Sequence, residues 1–331
     1  MNQTFTQQFE KQSASGADDR LLWACSSMQG WRRSMEDAHT TILDLLEDES
    51  ETAPREERIS FFGVYDGHGG KRVASYSGRN IHKIVASQAS FKAKNYAQGL
   101  RDGFLATDRA ILQDRSYRGE ISGCTATVLL VTSSTVFVAN AGDSRAVLGI
   151  KGRAKPLSDD HKPELDAEME RIVAAGGFVD VGRVNGILAV SRAIGDFQYK
   201  RNPKLPPERQ IITAFPDVIQ HDITADDEFL VLACDGIWDC VDSQAAVEFV
   251  RRGIAAYQPL ENICEDLMNQ CMSTGIEGIG YDNMTMMVVG LLQGKNEEEW
   301  YTMIAARVAD GDGSCPPPEY AYKIHNGILF L

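Results

Sequence analysis

The sequence predicts an α+β fold of stacked sheets covered by helices. Strands follow one another without regular β-α-β alternation, the helical patterns come in adjacent pairs, and Gly123 to Leu157 reads as an antiparallel meander. A doubly wound sheet needs a helix between successive strands, so the pattern argues against that class. A chain of 331 residues, 43% of them hydrophobic, suffices for one large core or two modest ones.

Taken in order, residues 1–20 are polar and unpatterned and are set apart as an N-terminal tail. Leu21 to Ser27 and Asp37 to Leu46 read as strands around a Gly30-Trp31-Arg32 turn. The charge run Asp44 to Glu57 reads as a solvated loop. An apolar strand from Ile59 then ends at Asp66, and two helical faces follow: Val73, Tyr76, Ile81, Ile84 and Val85, then Leu100, Phe104 and Ile111. The meander comprises Thr125 to Val131, Thr135 to Asn140 and Ser144 to Ile150. A helix from Pro163 stops at Gly176-Gly177, and the irregular stretch Phe178 to Asn202 is placed over a cleft. The strand Glu228 to Cys234 precedes two more helices, one capped by Asp242 or Ser243 and one carrying Leu260, Ile263, Leu267 and Cys271. Met284 to Val289 is a last buried strand. Residues 294–331, with one helix through Trp300 to Val308 and a Pro316-Pro317-Pro318 segment, read as a C-terminal extension.

Composition narrows the function. A formal net charge of −14 repels phosphate backbones and anionic bilayers, so neither nucleic acid nor membrane is an expected partner. No stretch is apolar for long enough to span a bilayer, residues 1–20 lack the regions of a secretory signal, and Asn2 breaks the myristoylation pattern. The seven cysteines show no CxxC spacing, which argues for reduced thiols, an intracellular location (cytoplasmic, nuclear or both) and no zinc site.

Four acidic clusters sit far apart: Glu36-Asp37, Asp66-Gly67-His68-Gly69-Gly70, Asp235-Gly236-Ile237-Trp238-Asp239 and Asp282-Asn283. The second and third follow apolar strands, where a buried strand ends and the chain turns. Carboxylates converging there would repel one another and protonate, so an ionised cluster points to hard divalent cations. The glycines of the second cluster allow close backbone approach, so the Gly67 carbonyl is itself a candidate ligand. Arg32 beside Glu36-Asp37 is either their salt-bridge partner or a fork for a substrate oxyanion, and spacing alone favours the salt bridge. For Asp143 and Asp282, taken singly, a turn is the default reading.

Together these segments resemble the PPM family of metal-dependent serine/threonine protein phosphatases, of the PP2C type, over roughly Leu22 to Leu291. The resemblance is carried by Ser27 to Arg32 with Met35 to His39, by Asp66 to Gly70, Ser122 to Ala126, Ala141 to Arg145, Asp160-His161-Lys162-Pro163, Arg183 to Gly186 and Ala189 to Asp196. Leu232 to Asp239 and Asp282 to Thr285 complete it. It implies a catalytic domain over residues 21–293 and a central β-sandwich of two antiparallel sheets flanked by helices on both faces, with the metals at one end. It further implies that Asp66 bridges two Mg²⁺ or Mn²⁺ ions, that Asp235 and Asp282 complete one site, and that Glu36 and the Gly67 carbonyl hold the other. By the same resemblance, Asp37 stands one layer behind, Asp143 and Asp239 place a third, weaker ion, Arg32 binds phosphate and His68 is the general acid.

The implied function is hydrolysis of phosphoserine and phosphothreonine on phosphoprotein substrates by direct attack of a metal-activated water, carried out by a monomer. No Cys-x5-Arg nucleophile loop competes with it. The alternatives are a catalytically silent metal- or phosphoprotein-binding relative and a binuclear phosphodiesterase. Arg33 stands where many relatives carry an apolar residue and is expected to face solvent. The segment after Gly294 does not match the family pattern.

Overall fold

Apolar runs that alternate between two buried faces build the centre of the molecule, seen in a computed structural model that describes residues 9–46, 58–273 and 279–317. Most of the acidic run, from residue 47 to 57, and the chain from Pro318 onward lie outside the described residues. The first sheet contains β1 (Gln12–Ala17), β2 (Leu21–Met28), β7 (Arg145–Ile150), β8 (Arg153–Pro156), β10 (Asp227–Ala233) and β11 (Met284–Leu291), in the order β1-β2-β11-β10-β7-β8. The second holds β3 (Ala38–Ile42), β4 (Ser60–Tyr65), β5 (Ala126–Val131), β6 (Thr135–Ala141) and β9 (Asp217–Asp222), in the order β9-β6-β5-β4-β3. Every pairing within both sheets is antiparallel.

Alternation assigns each face. On β4, Phe62 and Val64 point between the sheets while Phe61 and Tyr65 point outward; on β10, Leu230 and Leu232 point between them and Phe229 and Val231 outward. Both faces are covered, so these strands read as continuous apolar runs rather than alternating ones.

Outside the second sheet lie α1 (Arg72–Ser87) and α2 (Tyr96–Gln113), packed through Val73, Ile81, Leu100 and Phe104. Outside the first lie α4 (Ser243–Ala255), α5 (Leu260–Cys271) and α6 (Glu297–Ala309), packed through Val247, Ile263 and Trp300. This is the helix-sheet-sheet-helix sandwich. A satellite cluster around Ile172 of α3 (Asp166–Ala174) gathers Val184, Val190, Tyr199 and Ile212 from the irregular stretch.

Two segments differ from the sequence reading. Within the polar tail, β1 pairs with β2 from Gln12 opposite Ser27 to Ala17 opposite Leu22. Its side chains are mostly exposed, so backbone pairing holds it, helped by the Ser13 hydroxyl donating to Glu265 at 2.6 Å. The second is α6, set apart with the C-terminal extension, which instead buries Trp300 and Ile304 in the main core. It opens with a capping box between Asn296 and Glu299.

Candidate metal centre and catalytic cleft

Antiparallel register brings the acidic clusters together. Ala38 lies opposite Tyr65, so the chain enters β3 where it leaves β4, and Glu36-Asp37 meets Asp66. Ala233 lies opposite Met286, which brings Asp235, just past β10, beside Asp282, just before β11. Asp143 sits in the turn from β6 to β7 at the same end. The result is a cleft of about 820 Å³ whose walls include Arg32, Glu36, Asp66, Gly67, His68 and Asp143, with Asp235 and Asp282 opposite. Asp37 stands behind, with ligand-capable atoms of Asp37, Asp66 and Cys234 all within 4.8 Å of one another. Asp239 ends the single helical turn Asp235–Trp238 and is exposed, while Trp238 packs into the core. Arg183, Ile187, Leu188 and Val190 form one wall, so the irregular stretch does lie along the cleft.

The backbone is fitted to this convergence. A Cβ on Gly67 would stand 2.2 Å from the Glu36 carbonyl oxygen, so only glycine lets the two segments cross. Asn283 ties the loop before β3: its side-chain oxygen accepts from the Glu36 N–H at 2.9 Å, and its amide donates to Gln29 and Ser34 carbonyls at 2.7 and 2.9 Å. Glu36 in turn accepts from the Gly70 N–H at 3.0 Å. The Thr285 hydroxyl donates to Asp37 at 2.7 Å, leaving the other Asp37 oxygen buried without a partner.

Electrostatics mark the cluster as uncompensated. Burial, then the neighbouring Asp235, Asp37 and Asp143 charges, push the Asp66 carboxyl well above the usual range. Burial and the Asp143 charge raise Asp235 to about 7. Burial raises Asp37 to about 6. Acids that would rather stay protonated, with orphaned oxygens on Asp37 and Asp143, are the donor set that hard divalent cations require, so these residues fit such ions.

Three further contacts shape the cleft. Arg32, whose side chain is 51% exposed, pairs with Asp282 rather than with Glu36 or Asp37, and its guanidinium lies 5.6 Å from the Tyr281 ring centroid. Arg33 is exposed at the rim. His68 bonds Asp196 through Nε2 at 2.6 Å. Burial opposes charge on that ring, but the Asp196 bond and charge outweigh it and raise its pKa. The pair is held by a small sheet in which Gly67–His68 and Ile194–Gly195 flank Gly123–Cys124. A Cβ on Gly123 would come within 2.0 Å of Asp196 and 2.6 Å of His68.

Reading the sequence assigned no role to Asn283, Thr285, Asp196 or Lys162. All four lie in the quoted motifs, so motif membership was the one available signal.

Comparison with known proteins points to one family. The protein phosphatase 2C family profile matches residues 23–278. A protein phosphatase 2C homolog 2 from Hypocrea jecorina is 62% identical over 324 residues, covering 97% of this chain and 74% of the relative. The Schizosaccharomyces pombe protein of the same description is 56% identical over 325 residues, covering 97% and 87%. Among solved structures, a phosphatase from Toxoplasma gondii superposes with a TM-score of 0.71 at 25% identity, over 86% of this chain and 96% of that one. A serine-threonine phosphatase 2C from the same organism gives 0.72 at 19% identity, over 85% and 99%, a likeness of fold alone.

Proposed function

This chain belongs to the protein phosphatase 2C family and is a protein serine/threonine phosphatase, and on that premise we propose that it hydrolyses phosphoserine and phosphothreonine in proteins by direct attack of water, with no phosphoenzyme. The observation that carries this reading is the half-buried Asp66 and Asp235 carboxyls, both with raised pKa, beside unpartnered oxygens of Asp37 and Asp143, with an arginine and a histidine at the same cleft. Asp66, Asp235, Asp282, Glu36 and the Gly67 carbonyl would hold two Mg²⁺ or Mn²⁺ ions, with Asp143 and Asp239 offering a third position. When bound, such ions neutralise phosphoryl charge and lower the pKa of water toward neutrality.

The chain's own groups do the rest. Arg32 is exposed and, among the described residues, is held by Asp282 and the Tyr281 ring, so its guanidinium can turn to a phosphoryl group and grip two of its oxygens. Asp196 favours the protonated form of His68, the state needed to hand a proton to the departing serine or threonine oxygen. Asn283 and Thr285 keep Glu36 and Asp37 in place. The seven cysteines are free thiols in the structure, which supports placing the protein in a reducing, intracellular compartment.

The test is hydrolysis of a panel of phosphoserine, phosphothreonine and phosphotyrosine peptides in Mn²⁺ or Mg²⁺, with and without chelator. Release from the first two peptide classes that stops on chelation is the expected result. Turnover indifferent to chelator would sink the metal-dependent reading. Binding of ions without any turnover would favour the silent relative, and cleavage of diesters alone the phosphodiesterase.

A further inference from the structure

Asp143 and Lys162 carry an unexplained contact. Asp143 is 3% exposed, lies on the cleft wall, and has one oxygen with no hydrogen-bond partner. Its other oxygen accepts from the Lys162 ammonium at 2.5 Å. Lys162 comes from the segment after β8, whose neighbours are locked down: the His161 N–H donates to the Gly142 carbonyl at 2.9 Å, and the Gly142 N–H donates back to His161 Nδ1 at 3.2 Å. Asp160 is gripped by Arg145 through two bonds of 3.0 and 2.9 Å, and that guanidinium lies 5.2 Å from the Trp238 ring centroid, one residue from Asp239. The root of the lysine is therefore fixed while its stem, 39% exposed, reaches along the surface to the acid. A rigid base with a flexible, strongly hydrated tip can place a charge and also withdraw it.

We propose that the Lys162 ammonium is a resident counter-cation of the Asp143 and Asp239 position, offsetting the carboxylate charge a third divalent ion would use and thereby weakening that ion's binding. The inference rests on the reading of Asp143 as an ion ligand. Asp66 and Asp235 have no lysine or arginine on them, whereas Asp143 carries a unit positive charge at contact distance among the described residues. A divalent ion on the unpartnered Asp143 oxygen would stand beside the ammonium on the other, so it binds against that repulsion or pushes the ammonium away. Binding at this position is then weak and dependent on ionic strength; Arg32 opposes the neighbouring position in the same way through Asp282, but Asp66 and Asp235 themselves hold no contacting cation among the described residues. Acetylation of Lys162 would remove the competitor and act in the same direction as its substitution.

The experiment counts ions rather than turnover: Mn²⁺ titration of the full chain followed by electron paramagnetic resonance and calorimetry, on wild type, Lys162→Met, Lys162→Arg and Asp143→Asn. Lys162→Met keeps the apolar stem and loses the charge, and should tighten the weakest ion about tenfold with the tighter ions unchanged. Lys162→Arg keeps the charge and should bind as wild type does, which also controls for damage to folding. Asp143→Asn should lose the weakest ion whatever occupies position 162. If Lys162→Met binds the same number of ions with the same affinities as wild type, or binds the weakest one less tightly, the proposal is overturned. If Asp143→Asn leaves the ion count unchanged, what fails is the assignment of Asp143 as a ligand. That outcome is separate from a Lys162→Met result equal to wild type.

Discussion

Two kinds of acidic centre in this molecule, balanced and unbalanced, are built from the same chemical group and behave in opposite ways. Glu228, at the start of β10, is fully buried, accepts from Arg251 at 2.9 and 3.0 Å and from Arg307 of α6 at 3.1 Å, and binds that helix to the sandwich. Glu168, in the satellite cluster, is bonded by Arg192, Arg171 and Ser191, and these outweigh its burial to hold it at about 2. Asp66 and Asp235, at the sandwich end, have one another instead of a cation, and their pKa values rise. A chain that supplies arginines to Glu228 and Glu168 but none to Asp66 leaves there a deficit of positive charge for a ligand to fill. Structure is held where charge is balanced within the chain, and function sits where it is not.

The largest expected effect comes from removing the imbalance. Asp66→Asn should lower metal-dependent turnover of p-nitrophenyl phosphate by about 10³-fold or more. It should leave the melting temperature in chelator equal to wild type or higher, because a carboxyl whose charged form is disfavoured there is gone. Near-normal turnover in the purified, folded variant would show that Asp66 is not the pivot of the site.

Breaking a balanced centre should do the reverse. Arg251→Met strips two of the three cationic bonds from Glu228 and the donors to the Asp312 and Ser314 carbonyls. Urea unfolding should show a loss of about 3 kcal/mol or more, with the turnover of the remaining folded protein little changed. Replacing Glu228 as well, with glutamine, should restore part of the loss, since the cost lies in an unpaired buried charge. A cost below about 0.5 kcal/mol, the value of an exposed pair, would erase the distinction between the two centres.

What could be read from the sequence follows the same division between local and distant causes. Strands β4, β5, β10 and β11 were legible because burial on both faces makes them unbroken apolar runs. Asp66 and Asp235 stood out because each sits where such a run meets turn residues. β1 was not legible: Ser13, Ala14 and Ser15 carry no pattern, and only the neighbouring backbone makes a strand of them. The helix of Trp300 was visible, but its membership in the core depends on Glu228, whose carbonyl accepts from the Trp300 indole at 3.3 Å across 72 positions of sequence. Asp196 is the clearest case at the site. Its link to His68 spans 128 positions and depends on Gly123 leaving room for both, a relation that no local window contains.

The smallest expected effect, and the most direct measure of the deficit, is in pH. A carboxyl with a raised pKa keeps a proton in the folded protein that the unfolded chain has already released near pH 3.9. Above that pH, and up to the raised value, the native state binds more protons than the unfolded one, so stability falls as pH rises. Asp37 at about 6 and Asp235 at about 7 extend this window to near neutrality. Glu168 is depressed to about 2, so its contribution is present above the ordinary glutamate pKa and lost only in acid, leaving no slope near neutrality. In chelator the unfolding free energy should therefore drop by roughly 1 kcal/mol between pH 6 and pH 7 for each proton involved. Excess Mn²⁺ displaces those protons, so the drop should vanish and binding at pH 6 should release acid measurable by calorimetry in buffers of different ionisation enthalpy. A chelated protein whose stability is flat or rising across that interval would mean that Asp66, Asp37 and Asp235 are as well compensated as Glu228, and the contrast between the two centres would be gone.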